Sequence, residues 1–84
     1  MTRYFLHLRD GTDLALDEEG KDFQDENALR ASMISNARSL MSDDVTSGRL
    51  DLSLRIDAET ADGRVVQSLP FADALEIIYP DPEP

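Results

Sequence analysis

The chain has 84 residues, a formal net charge of −10 and no cysteine. This length holds one domain with a modest core and leaves no room for a deep cleft between two lobes. Without cysteine there are no disulfides and no thiolate metal sites, and the acidic surplus disfavours nucleic acid, which needs a basic footprint.

Hydrophobic residues make up 40% and charged residues 31%, a balance typical of a folded chain. No apolar run reaches membrane length, and the first residues lack the apolar stretch of a signal peptide. The expected setting is the cytoplasm, with no membrane partner. The acid is unevenly placed. Residues 10–26 carry eight acidic side chains against Lys21, and residues 50–84 carry eight against Arg55 and Arg64. Surplus acid of this kind keeps a small protein soluble and unassociated.

Residues 2–9 alternate, with Tyr4, Leu6 and Leu8 on one face and Arg3, Phe5, His7 and Arg9 on the other. Asp10-Gly11 then predicts a hairpin turn, and Asp13 to Asp17 a return strand. A helix follows, with Asp25 as its N-cap and Glu26 at the positive end of its dipole. Leu29, Met33, Ile34, Ala37, Leu40 and Met41 recur at helical spacing and form its apolar stripe. Arg30 falls within that stripe and is expected to snorkel. Asp43 and Asp44 suit a helix C-terminus poorly, so regular helix is expected to end near Ser42, with Gly48 as the stop.

Residues 50–59 alternate most cleanly. Leu50, Leu52, Leu54, Ile56 and Ala58 alternate with Asp51, Ser53, Arg55, Asp57 and Glu59, as in a strand with one wet face. Asp62-Gly63 predicts a second hairpin, with Arg64 to Leu69 returning and Pro70 ending the strand. A short helical turn followed by an extended end is expected over 71–79. The domain is expected to span residues 1–79, with 80–84 a loose tail.

The expected architecture is α+β: a two-layer β-β-α-β-β unit, with an antiparallel sheet packed by one face on one helix. The even residues of the first and third strands then face the helix. The odd residues share the other face, which nothing in the sequence covers.

Two end motifs resemble a known family. Arg3-Tyr4-Phe5-x-His7-x-Arg9-Asp10-Gly11 opens the chain, and Leu69-Pro70-Phe71-x-Asp73-Ala74 closes it. Together they resemble a family of short alphaproteobacterial domains of unknown function, over roughly Arg3 to Ile77. Leu6 departs from the pattern, standing where a second aromatic is expected. The resemblance implies a single domain in a bacterial cytoplasm, and it supplies no chemistry.

The sequence offers few parts for catalysis. His7, the only histidine, has Arg3, Phe5 and Arg9 as same-face neighbours, and a general base needs a proton partner and an orienting group. It reads as a surface or interface residue. The acids of 10–26 do not follow a calcium loop: from Asp13 the alternate positions are Ala15 and Asp17, and from Asp17 they are Glu19 and Lys21. No serine lies in a glycine-flanked elbow, and no glycine-rich phosphate loop is present. The expectation is a non-enzymatic chain with no catalytic, cofactor or metal residues and no cofactor.

What stands out is the uncovered sheet face. It is expected to present Arg3, Phe5, His7, Arg9, Asp51, Ser53, Arg55 and Asp57, and Glu59 beside them. Cross-strand charge pairing alone accounts for such a face. Aromatic and arginine side chains are also the types enriched at contacts. The reading is a small acidic protein-interaction or regulatory module, with an unidentified protein partner or a second copy of itself on that face. An anionic decoy of a nucleic-acid-binding protein is the alternative, and would bind basic proteins in a salt-sensitive way. A small-ligand carrier or enzyme is the third, and would need a pocket the sequence does not announce.

Overall fold

Alternation at residues 2–9 becomes an eight-residue strand, β1 (Thr2–Arg9), in the computed structural model, which describes residues 1–82. Two three-residue strands follow, β2 (Asp13–Ala15) and β3 (Lys21–Phe23). Helix α1 spans Glu26–Thr46, and β4 (Arg55–Glu59) and β5 (Val65–Pro70) complete the sheet. A 3₁₀ turn, Phe71–Ala74, closes the packed part of the chain.

All strand pairs are antiparallel, in the order β2-β1-β4-β5, with β3 also on β1. β1 pairs with β3 through Thr2 to Tyr4, with β2 through Leu8 and Arg9, and with β4 through Phe5 to Arg9. The two-layer α+β expectation holds, with one strand more than expected. Lys21–Phe23 is too short to show a period, and pairing with β1 is what makes it a strand.

Helix α1 starts where the sequence placed it. The Asp25 carboxylate accepts from the Ala28 N–H at 2.8 Å. Leu29, Met33, Ala37 and Met41 are buried, and they meet Tyr4, Ile56, Ala58, Leu69 and Phe71 in one core. Leu40 and Ile34 flank that stripe, Leu40 on the exposed side. The helix runs four residues past Ser42. Its end is closed by Ser47 N–H donating to the Asp44 carbonyl and by Gly48, at φ +90°, donating to Val45. Asp43 and Asp44 are tolerated because neither is buried in this last turn. Arg30 reaches the carbonyl of Ser68 at 3.3 Å.

The expected strand over 50–59 forms only from Arg55 onward. Arg55 lies opposite Arg9, the last residue of β1. Residues before Arg55 would need partners in the Asp10-Gly11 turn and find none. Instead the Asp51 carboxylate accepts from the N–H and the hydroxyl of Ser53, at 2.9 and 2.6 Å, and turns the chain. Asp51 and Ser53 therefore do not join the sheet face. Leu52 and Leu54 still pack against the core from this turn.

The 3₁₀ turn is docked on α1 by Arg38, whose Nε donates to the Ala74 carbonyl at 2.7 Å. Beyond it, residues 75–82 have no regular structure and are exposed. The expected loose tail at 80–84 belongs to this segment, with residues 83–84 outside the described part.

Candidate functional site

The register of β1 on β4 places His7 opposite Asp57, Arg9 opposite Arg55, and Phe5 opposite Glu59. On the β5 side Asp57 lies opposite Ser68. These odd-numbered side chains gather on the sheet face away from the helix. Arg9 is their hub. Its Nη1 donates to Asp57 Oδ2 at 2.9 Å and to Glu59 Oε2 at 2.7 Å, and its Nε to Asp13 Oδ1 at 2.7 Å. Arg55 Nε reaches both Asp57 oxygens at 3.2 Å, and the Ser68 hydroxyl donates to Asp57 Oδ1 at 2.6 Å.

Asp57 is only 4% exposed. Burial by itself would push its carboxyl up, but the hydrogen bonds from Ser68, Arg9 and Arg55 outweigh it and hold it below the usual carboxylate range. The same carboxylates hold the Arg9 guanidinium above its ordinary value, Asp13 foremost.

His7 is 9% exposed, a correction to its expected place on an open surface. The turn at residues 17–20 covers it. The Asp17 N–H donates to His7 Nδ1 at 3.0 Å, so the ring proton lies on Nε2, which faces Glu59 Oε1 at 3.6 Å. The Asp17 side chain completes the join. Leu6 lies between the stretch of β1 paired with β3 and the stretch paired with β2, and its N–H donates to Asp17 Oδ2 at 3.3 Å. Asp17 Oδ1 accepts from the N–H groups of Glu19 and Gly20, at 3.2 and 3.0 Å. Burial pushes the Asp17 carboxyl up. The amides of Gly20, Leu6 and Glu19 more than reverse it and leave it lowered.

Arg3 stands apart, on Asp22 and the Glu19 carbonyl, each at 3.1 Å. Phe5 is half-buried beside Gly20. Of the eight expected contact residues, the structure thus joins His7, Arg9, Arg55 and Asp57 in one network. It places Arg3 and Phe5 at the network's flank and removes Asp51 and Ser53 to the 51–53 turn.

A second feature lies on the helix side of the sheet. Leu6, His7, Leu8 and Ile56 of the sheet, Ala15 at the end of β2 with Leu16 and Asp17 after it, and Asn36, Ser39 and Leu40 of α1 line an open groove of about 380 Å³. Leu16 is 52% and Leu40 42% exposed. Asp17 and His7, which join the 17–20 turn to β1, also line this groove. Beside them β2 is only three residues long and leaves α1 unmatched along this flank. Its volume suits two or three apolar side chains. The sequence carried a faint sign of it, since Leu40 lies at the edge of the helical stripe and Leu14 and Leu16 share one side of the return strand expected at 13–17, of which only Asp13–Ala15 forms. Among the described residues no group of three or more His, Asp or Glu side chains is placed to hold a metal ion. No described helix is long and apolar enough to cross a membrane.

Residues 3–72 match the model of a family described as a domain of unknown function, DUF6894. The chain belongs to the DUF6894 family. The match takes in β1 from Arg3 onward, β2 to β5, α1, the charge network and the groove. The closing motif of this DUF6894 domain falls only partly within it, and the exposed 75–82 segment lies beyond it. No curated protein and no solved structure matches the chain.

Proposed function

We propose that this DUF6894 domain is a small, non-catalytic protein-interaction module that receives an apolar segment of a partner in the groove between α1 and β2. The observation that carries this reading is the exposure of Leu16 and Leu40 beside Leu6, Leu8 and Ile56 around one concave surface. Clustered apolar side chains around a concave surface are what a helix or extended segment binds through. The charged sheet face supports contact less well. Its buried carboxylate is already paired with two arginines and a serine, and breaking such pairs to form others brings little net gain. The non-catalytic reading is supported by His7, whose Nδ1 is taken up by a backbone amide and so is not available to accept a substrate proton.

Selection of a random-peptide display library on the immobilised domain tests this, with counter-selection on Leu40→Gln. Enrichment of peptides with two or three large apolar residues, lost on Leu40→Gln, supports the groove. Enrichment that ignores Leu40→Gln, or none, removes it.

A further inference from the structure

The same chain that leaves this groove open also exposes an apolar segment near its C-terminal end. Ile78 is 80% and Tyr79 74% exposed, and Leu75 and Ile77 are exposed beside them. Two large apolar residues in succession at such exposure are unusual on a soluble surface, and they sit on a segment with no regular structure.

We propose that the Leu75–Tyr79 segment of one copy occupies the α1–β2 groove of a second copy, and that the exchange is reciprocal. This rests on the groove reading above and names its occupant.

The geometry favours a second copy over the chain's own groove. The segment leaves α1 at Ala74, held by Arg38. The groove meets α1 at Asn36 and Leu40. Arg38 and Leu40 are two residues apart, so they project about 160° from each other around the helix axis. A helix with its side chains is about 10–12 Å across. Ile78, four residues past Ala74, reaches at most about 14 Å of chain, too little to round the helix and enter the groove on its far flank. The segment is instead left exposed, without regular structure.

The area is adequate. Ile78 and Tyr79, the two most exposed of the segment, each offer on the order of 150 Å². Two tails seated in two grooves, counting both partners' surfaces, reach the lower end, about 1,200 Å², of a stable specific contact. A two-fold arrangement also satisfies closure, since each copy offers one segment and one groove. Charge opposes it. Each copy carries −10, and Glu76 and Asp81 flank the segment. The association is therefore apolar in origin, and added salt strengthens it by screening the repulsion.

Light scattering on the eluting full chain, over a concentration series and at low and high salt, decides it. The expected result is a doubled mass that becomes more populated with salt. Ile78→Asp and Leu40→Gln each give a monomer with unchanged circular dichroism, both positions being exposed. An equimolar mixture of the two variants regains a dimer at the higher concentrations, because one intact segment meets one intact groove. A monomeric wild type, a dimer that survives either substitution, a dimer lost on adding salt, or a mixture that stays monomeric each overturns the exchange. A monomeric wild type that still selects apolar peptides through Leu40 overturns the exchange and leaves the groove reading standing.

Discussion

The backbone N–H of Asp17 donates to Nδ1 of His7 at 3.0 Å, joining a turn to the middle of the longest strand. The histidine acts here as an acceptor that holds residues 17–20 against the sheet. That placement buries the His7 ring, and both His7 and Asp17 also line the groove beside α1.

Replacing His7 by alanine leaves the Asp17 N–H without its partner. We expect a loss of about 1–2 kcal/mol from one hydrogen bond and its packing, and faster amide exchange confined at first to Asp17, Glu19 and Gly20. His7→Asn restores an acceptor near the Nδ1 position and should recover part of the loss. Urea unfolding with residue-resolved exchange reads both.

Asp51 and Asp57 are equivalent in the alternating pattern and unlike in the structure. Asp51 lies in a turn at the surface, where pairing with Arg49 contributes little. Asp57 neutralises two arginines from a nearly buried site. Asp51→Ala should therefore cost no more than about 1 kcal/mol, and Asp57→Ala about 3 kcal/mol, because Arg9 and Arg55 lose their shared partner. Equal urea midpoints for the two variants would contradict this arrangement.

Stability should fall in acid with a definite sign. Asp17 and Asp57 are both held below the ordinary carboxyl range in the folded chain. The unfolded chain therefore takes up protons first as the pH drops. Their contribution is complete above about pH 5 and is lost as the pH falls through the lowered folded values. Urea midpoints taken from about pH 7 to about pH 3 should decline on the acid side, and Asp57→Asn should flatten that limb while lowering the neutral plateau.

Gly20 and Gly48 both have positive φ, +72° and +90°, but differ in their surroundings. A Cβ at Gly48 meets nothing within 4 Å. One at Gly20 comes within 2.9 Å of Phe5 Cε1 and of Arg3 Cγ. Gly48→Ala should cost about 1 kcal/mol for the left-handed backbone alone, and Gly20→Ala more, by about 1 kcal/mol of forced side-chain movement. Combining Gly20→Ala with Phe5→Leu should cost less than the two changes separately, which a double-mutant cycle measures.

Local chemistry made much of the fold legible. Alternation of Tyr4, Leu6 and Leu8 with Phe5, His7 and Arg9 defines β1 and its two faces, and the carboxylate of Asp25 three residues before the Ala28 amide sets the helix start. Leu29, Met33, Ala37 and Met41 announce the buried stripe, since a 3.6-residue period can place them only on one side. These features depend on neighbours within one turn or one strand. The candidate site does not. Nothing near residues 50–54 says that β1 ends at Arg9 and offers them no partner strand, so their alternation reads as strand although Asp51 turns the chain and, among the described residues, only the Leu54 carbonyl is met, by the Phe71 N–H at 2.9 Å. Nothing near His7 says that Asp17, ten residues on, will cover it, nor that Asp57, fifty residues on, will lie across from it between Arg9 and Arg55. Composition and period fixed which side chains leave water together. Strand register, a property of pairs distant in sequence, decided which charges neutralise one another and where α1 is left with an open apolar flank.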